Sequence, residues 1–160
     1  MSRKLIHEFC KFFKCEIKDL QKYLFCPFNR RKLIEKYRNI LVRTTYKNRN
    51  GTRHVFRLAG LSLQDAKHCK AYNSFLGVTV LQHFYARHRI FVKNHNLPCV
   101  LELTPQQDTK YYPIELLEVY EDEDEYQENI SNKNLILEHF IDKDNINTVA
   151  LNYTVKVLKK

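Results

Sequence analysis

The sequence predicts a mixed α+β domain, because two kinds of hydrophobic periodicity follow one another along the chain. Apolar residues recur at spacings of three and four through residues 3–25, which is the period of an amphipathic helix. From residue 40 onward, β-branched and aromatic residues alternate with polar ones, which is the period of a strand. A chain of 160 residues with 44% apolar content can bury one core of ordinary size.

Two helices are predicted near the N-terminus. The first covers residues 3–25 and presents its apolar face to a partner. Cys26-Pro27 ends this helix, since proline disfavours the helical conformation in the residue before it. Asn29 is then a suitable N-cap for a second, basic helix with the sequence RRKLIEKYRN.

A β-hairpin is predicted after these helices. The runs ILVRTTY and RHVFRLAGL have period two and flank the dipeptide Asn50-Gly51. Asn-Gly supplies the positive φ angles of a tight hairpin turn. Residues 62–78 carry no deciding pattern, although QDAKHCKAY is compatible with one or two helical turns.

A third helix and two strands are predicted over residues 79–103. Thr79 can cap the helix VLQHFYARH. His83 and Arg87 lie four residues apart and therefore share one face of that helix. The runs IFV and VLEL are predicted as short buried strands on either side of a turn at Leu97-Pro98.

Residues 121–160 form a predicted C-terminal extension that packs on the same domain as residues 1–120. Its first part, EDEDEYQEN, is an acidic stretch interpreted as a surface linker. NLILEHF then predicts a short helix, and the strict alternation in VALNYTVKVL predicts a strand.

The formal charge of +9 is concentrated in the first part of the chain. Residues 1–60 carry 16 Lys and Arg against 4 Asp and Glu, whereas residues 121–160 carry 5 against 9. A positive surface concentrates polyanions, so RNA, DNA or an acidic membrane surface are the expected partners, and a solvated basic face is the alternative. No apolar run reaches the roughly 18 residues that a membrane-spanning helix needs.

The five cysteines are an odd, scattered set without a CxxC pair, at positions 10, 15, 26, 69 and 99. Such a set predicts reduced thiols and a reducing intracellular location, cytoplasmic or nuclear. A zinc site that joins Cys10 and Cys15 to the distant His83 and His88 has no recognised ligand spacing. With 3 Gly and no nucleophile-elbow, HExxH or kinase signature, the chain is expected to have neither a cofactor nor an enzymatic activity.

Three motifs follow one another over residues 79–119: the helix VLQHFYARH, the tripeptide LPC at 97–99 and YYPIEL at 111–116. Their order and spacing resemble the T-V-x-x-Y-F-x-x-x-Y, L-P-C and Y-L-P-x-E that are typical of the second half of Argonaute PAZ domains. The resemblance covers residues 29–119. It implies a small OB-like or SH3-like β-barrel with an inserted α-β appendage over about residues 62–93 and N-terminal helices packed on one side. For residues 62–78 it implies irregular chain and a short strand.

PAZ domains hold the 3' end of small RNAs in Argonaute proteins and, in variant form, in Dicer. The resemblance therefore implies non-catalytic binding of the 3' end of a single-stranded small RNA in RNA silencing. The rest of an Argonaute-like protein, or other silencing factors, are further implied partners. To hold a strand end without reading its sequence, such a site needs donors for the last phosphate and aromatic walls for the bases.

The resemblance also implies which residues contact the terminal phosphate. The two helix tyrosines of the family, five residues apart, correspond to His83 and His88 in this chain. Tyr46 stands where a histidine often ends the first barrel strand. His54 and Phe56 stand where the family has a basic residue and, two positions later, a tyrosine.

The remaining implied site residues concern the bases and the strand backbone. Tyr72 is the first choice for stacking on the terminal base, and Phe75 is the second. Arg87 corresponds to a basic helix position near the RNA backbone. Tyr111 and Tyr112 align with the Tyr-Leu pair before proline, and they either line the pocket floor or pack in the core.

Histidines at family tyrosine positions leave three alternatives. An imidazole can donate to a phosphate, and the phosphate would raise its pKa, so that binding strengthens at lower pH. Alternatively, His83 and His88 only complete a helix surface, and the chain is a degenerate PAZ module for protein interaction with a closed or altered pocket. A nuclease that uses the two histidines as acid and base is disfavoured, because the sequence does not indicate a carboxylate beside them.

Overall fold

The computed structural model describes residues 3–71, 77–106 and 108–132. The chain divides into two compact units, Met1–Tyr120 and Glu121–Lys160. The first unit contains helices and two antiparallel sheets, which confirms the mixed α+β prediction.

The N-terminal segment is more broken than the predicted single helix over residues 3–25. A short strand β1 (Arg3–Lys4) precedes helix α1 (Leu5–Phe13), and helix α2 (Leu20–Leu24) follows a 3-10 turn. Lys14 ends α1 in the left-handed conformation with φ of 54°, which interrupts the helix. The predicted continuous helix was therefore wrong, although both halves bury the apolar residues that suggested it.

Helix α3 (Pro27–Tyr37) begins two residues before the predicted N-cap, Asn29. Cys26 is the N-cap residue, and Pro27 occupies the first turn, where its missing N–H is not needed. The Arg30 guanidinium donates hydrogen bonds to the carbonyls of Leu61 and Ser62. These bonds tie the helical segment to the sheets.

Four strands form the first sheet, in the order β1-β7-β2-β3. They are β1, β2 (Leu41–Thr44), β3 (Val55–Arg57) and β7 (Leu117–Val119), and all neighbours are antiparallel. The predicted hairpin is confirmed, because Val42 pairs with Phe56. Its connection is a loop rather than a two-residue turn, since only Gly51 takes a positive φ, of 80°, while Asn48 N–H bonds to the Thr52 carbonyl at 2.7 Å.

The second sheet has the order β4-β5-β6, and its strands are also antiparallel. They are β4 (Gly60–Asp65), β5 (Pro98–Leu103) and β6 (Thr109–Pro113). Residues 62–71 thus continue a strand and then turn, which is the irregular alternative left open above. In the described strands the two sheets are separate hydrogen-bonded units, so a closed barrel stays a prediction.

Helix α4 (Val80–His88) has the N-cap predicted from the sequence. Thr79 Oγ1 accepts a hydrogen bond from Gln82 N–H at 3.2 Å, and the Gln82 side chain accepts from Thr79 N–H at 3.0 Å. The strand predicted for IFV was wrong, because Arg89 adopts a left-handed conformation after α4 and residues 90–92 have no ladder partner. Val92 is nevertheless fully buried.

The core of the first unit combines residues from the helices and both sheets. Its largest fully buried side chains include Leu5, Phe9, Leu20, Leu24, Leu33, Val42, Leu58, Phe84, Ile114 and Leu117. Helix α1 contacts β7 and the 3-10 turn Ile114–Leu116 that precedes it. The helical segment is therefore an integral part of this unit.

In the second unit, residues 123–132 are helical, so the acidic stretch interpreted as a linker is in large part a helix. Asp122 Oδ1 accepts a hydrogen bond from Glu125 N–H at 2.9 Å at the start of this helix. The helix predicted for NLILEHF and the strand predicted for VALNYTVKVL lie outside the described residues. Within the described parts of both units, no helix is both long and apolar enough to cross a membrane.

Candidate nucleic-acid interface

A cavity of about 1130 Å³ opens between the β2–β3 loop, helix α4 and strand β6. Seven of the ten sequence-predicted site residues line it: Tyr46, His54, His83, Arg87, His88, Tyr111 and Tyr112. These residues are spread over 67 positions of the chain, and the fold brings them to one place. Tyr72 and Phe75, the predicted stacking residues, lie outside the described residues.

The cavity wall carries more positive than negative charge. Lys47 and Arg49 reach it from the β2–β3 loop, Arg87 from α4 and Lys110 from β6, whereas Asp108 is its single carboxylate among the described lining residues. A concave surface with such a balance attracts anions, because field lines are focused in a cleft with low-dielectric walls.

Thr44 is a buried residue at the end of β2, and it positions two of the lining side chains. Its hydroxyl donates to the Tyr46 carbonyl at 2.8 Å and accepts from His54 N–H at 3.1 Å. The start and the end of the β2–β3 loop are thereby joined, so that Tyr46 and His54 both face the cavity. The spacing of these residues in the sequence does not predict this role for Thr44.

The Tyr46 ring packs against α4. Its centroid lies 4.6 Å from that of His88 and 5.6 Å from that of Phe84. Burial and the nearby Glu102 raise the pKa of the Tyr46 phenol far above its usual range. The hydroxyl therefore keeps its proton at physiological pH and can donate a hydrogen bond to an anion in the cavity.

His83 and His88 reach the cavity from α4, five residues apart. Burial, together with His88 and Arg87, lowers the pKa of His83. Burial and Arg87 lower the pKa of His88. Both imidazoles thus favour the neutral form in the free protein, and a bound anion would reverse this preference by stabilising the charged form.

His54 and Tyr112 share one carboxylate behind the cavity wall. Glu102 Oε2 lies 2.7 Å from His54 Nε2, and Glu102 Oε1 accepts a hydrogen bond from the Tyr112 hydroxyl at 2.9 Å. The Phe56 ring stacks against both, with its centroid 5.4 Å from that of His54 and 4.6 Å from that of Tyr112, and the His54 and Tyr112 centroids lie 6.2 Å apart. At 3% exposure, Phe56 lies underneath the wall and supports it without lining it.

Tyr111 and Tyr112 both line the cavity, although they neighbour each other on β6. Tyr112 is 8% exposed and also belongs to the core, so the two alternatives given for this residue hold together. Tyr111 is half-buried, and burial raises the pKa of its phenol. Sequence reasoning missed nine of the sixteen described lining residues, and three of these nine are cationic: Lys47, Arg49 and Lys110.

A metal centre finds no support among the described residues, where no group of three or more His, Cys, Asp or Glu side chains is arranged to hold an ion. Cys10 and Cys15 line a different, shallow cavity of about 720 Å³, away from His83 and His88. All five cysteines are free thiols.

Solved structures of PAZ domains are similar to this chain. One is the Drosophila Argonaute 2 PAZ domain described for 3' end recognition of nucleic acids, with a TM-score of 0.55 and 24% identity over 76% of this chain and 96% of that chain. Another is a Drosophila Ago PAZ domain in complex with 3'-end 2'-O-methylated RNA, with a TM-score of 0.59 and 23% identity over 76% and 100%.

A third similar structure, of the Drosophila Argonaute2 PAZ domain and its nucleic acid binding, has a TM-score of 0.57 and 25% identity over 74% of this chain and 99% of that chain. No family model and no curated protein matches the chain. The structural matches cover whole PAZ domains, so this chain has a PAZ-like fold.

Proposed function

We propose that this chain binds the 3' end of a single-stranded small RNA without catalysing a reaction, and that it does so in an RNA-silencing pathway. The observation that carries the proposal is the open cavity of about 1130 Å³, lined by cations, imidazoles and phenols. The similar Drosophila PAZ domains are described with 3' ends of nucleic acids and with 3'-end RNA, which supports the same class of ligand.

The lining of the cavity favours an oligomeric anion over a small molecule. Sites for small molecules are mostly apolar. This cavity is lined by cationic groups from the β2–β3 loop, α4 and β6. A chain of phosphates fits such a surface better than a single metabolite does.

The groups on α4 are suited to the terminal phosphates. Arg87 supplies a permanent charge, and His83 and His88 can become charged when an anion arrives. The Tyr46 hydroxyl adds a neutral donor. None of these contacts reads a base, so we expect binding to depend on the strand end and on salt, and little on sequence.

The protein-interaction alternative required a closed or altered pocket. The cavity is open, and His83 and His88, which stand at family tyrosine positions, can still donate hydrogen bonds to a phosphate. The nuclease alternative assigns the acid and base to His83 and His88, whereas the carboxylate of Glu102 lies 2.7 Å from a different histidine, His54. RNA recovered from every titration should be run on a denaturing gel, where we expect it to be intact.

The deciding experiment compares a short linear single-stranded RNA with a circular RNA of the same sequence. The two differ only in the presence of ends, so charge and composition are matched. We expect the linear RNA to bind at least about tenfold more tightly, and His83→Ala to weaken linear binding more than circular binding. Equal affinity for both forms would remove the proposal, and cleaved RNA would replace it with the nuclease.

A further inference from the structure

Three large apolar side chains are exposed around the first turn of α3, and we refer to them as the α3–β4 patch. Phe25 follows α2 and is 37% exposed, Phe28 is the second residue of α3 and is 64% exposed, and Leu63 on β4 is 87% exposed. A single exposed apolar side chain is ordinary on a protein surface, whereas a group of them is typical of a surface that binds another molecule.

The Arg30 guanidinium brings the two parts of this patch together. It donates hydrogen bonds to the Leu24 carbonyl at 3.3 Å and to the Ser62 carbonyl. These carbonyls directly precede Phe25 and Leu63 in the chain. The backbones of Phe25 and Leu63 therefore lie next to the same guanidinium.

The backbone of β4 is poorly suited to pairing with an added strand, although β4 is an edge of the three-stranded sheet. Arg30 bonds to the carbonyls of Leu61 and Ser62, and the Ser62 hydroxyl donates to the Gln64 carbonyl at 2.6 Å. The register of β4 against β5 also shifts beyond Leu61, and such bulges re-aim side chains. A partner would therefore contact β4 through the side chain of Leu63.

The charge around the patch is positive. Lys22, Arg31 and Lys32 are exposed cations that lie three or four positions from Phe25 or Phe28, a spacing that places side chains on one helix face. In the described helices α2 and α3 the one exposed carboxylate is that of Glu35. A complementary partner carries carboxylates around bulky apolar side chains.

The patch fits a protein segment better than single-stranded RNA. Proteins that bind single strands offer aromatic faces on which bases stack. The Lys32 ammonium lies 4.4 Å from the centroid of the Phe28 ring and covers one of its faces. Leu63, the most exposed of the three patch residues, is aliphatic and has no face for a base.

We infer that the α3–β4 patch is a docking surface for an acidic segment of a partner protein, whose apolar side chains cover the patch while its carboxylates pair with the surrounding cations. This role is additional to the proposed RNA binding. The cavity is lined by β6, at the opposite edge of the sheet from β4, and no patch residue is among its described lining residues. Partner and RNA are therefore expected to bind at the same time.

The test titrates the full chain with a fluorescent synthetic peptide that has leucine and phenylalanine at helical spacing and glutamate at most other positions. One matched peptide replaces its apolar residues by serine, and a second replaces its glutamates by lysine. At physiological salt, which screens unspecific attraction, we expect the first peptide to bind about tenfold more tightly than either matched peptide. Absence of binding, or equal binding of the first peptide and the serine peptide, would overturn the inference.

Leu63→Ser locates the binding, and Leu103→Ser is its matched control. Both leucines are exposed on strands of the same sheet, and Leu103 pairs with Thr109 on β6. Leu63→Ser should weaken binding of the first peptide about tenfold, whereas Leu103→Ser should leave it unchanged. Thermal unfolding of both variants checks that the fold is intact. Equal weakening by the two substitutions would contradict the assignment to the patch.

The same variants decide between a protein and the other possible occupants. We expect Leu63→Ser to leave the affinity for single-stranded RNA unchanged, and the first peptide to bind equally well when the chain is saturated with RNA. If Leu63→Ser instead reduces binding to RNA, or to vesicles of phosphatidylcholine and phosphatidylserine, the patch is a nucleic-acid or membrane surface and the inference is wrong. Because these outcomes do not depend on the linear and circular RNA comparison, failure of one proposal leaves the other intact.

Discussion

The imidazole rings of His83 and His88 lie on the cavity side of α4 with their centroids 6.0 Å apart and their planes at 82° to each other. His83 also packs edge-on against Phe84, and His88 lies beside Tyr46. Each ring is partly desolvated, and Arg87 lowers the pKa of both. Two neutral imidazoles next to a permanent cation form a site whose charge can rise when an anion binds.

We predict that RNA binding strengthens as the pH falls from about 7.5 to about 5.5. A phosphate stabilises the charged imidazoles, so their pKa values are higher in the complex than in the free protein, and the complex takes up protons. Titrations at constant salt will measure this. The double variant His83→Gln/His88→Gln should have a flatter profile, because both imidazoles on α4 are then absent; an unchanged profile would contradict the assignment.

The same lowered pKa values predict the opposite trend for the stability of the free protein. An unfolded histidine has a pKa near 6.5, and the folded values are lower, so the unfolded chain binds more protons below about pH 6.5. Stability should therefore fall as the pH drops through this window. Urea unfolding at about pH 7.5 and about pH 5.5 should show a smaller loss for His83→Gln/His88→Gln than for the wild type. A larger loss in the variant would mean that other groups dominate.

Local patterns predicted those parts of the site that depend on one element. The capping box of Thr79 and Gln82 fixes where α4 begins, and the helical period then places His83 and Arg87. Asn50-Gly51 indicated the hairpin correctly. The resemblance supplied Tyr46, Tyr111 and Tyr112, because short motifs in a set order carry information on three-dimensional position.

Contacts between distant segments could not be predicted in this way. Glu102 was assigned to a strand as one letter of VLEL, and its pairing with His54, 48 positions away, follows only from the packing of the two sheets. The break at Lys14 was also missed, since a left-handed residue other than glycine has little sequence signal. Both failures concern tertiary context, which outweighs local periodicity.

Arg43 and Glu118 form a cross-strand pair between β2 and β7 that we expect to stabilise the first unit. Glu118 is 4% exposed, and its Oε1 lies 2.8 Å from Arg43 Nε, whereas Arg53 Nη1 is 3.6 Å away. Arg43→Met should reduce the free energy of unfolding by about 2 kcal/mol, because a buried carboxylate loses its main partner. Urea unfolding will measure the change.

Two further variants test this prediction. Arg53→Met removes the longer contact from a more exposed side chain and should cost about 0.5 kcal/mol or less. The double variant Arg43→Met/Glu118→Leu should be more stable than Arg43→Met, since the buried charge that keeps only the longer Arg53 contact is then absent. A double variant less stable than the single one would show that packing of Glu118, and not its charge, is what matters.

Arg87 should contribute one phosphate contact to RNA binding. It is exposed on α4 and lines the cavity, and its charge does not depend on pH in the physiological range. Each neutralised phosphate on a single strand contributes about 0.7 to the slope of log affinity against log salt concentration. Arg87→Ala should therefore lower the magnitude of that slope by about 0.7 and weaken binding at low salt more than at high salt.

Arg31→Ala is the matched control, because Arg31 is equally an exposed arginine within a helix, α3, and it does not line the cavity. Both variants lose one positive charge, so a general effect of net charge would alter the two slopes equally. If the cavity holds the RNA, only the Arg87 variant loses slope. If Arg31→Ala has the same effect, the RNA is attracted by the whole basic surface, and the cavity on α4 is not its binding site.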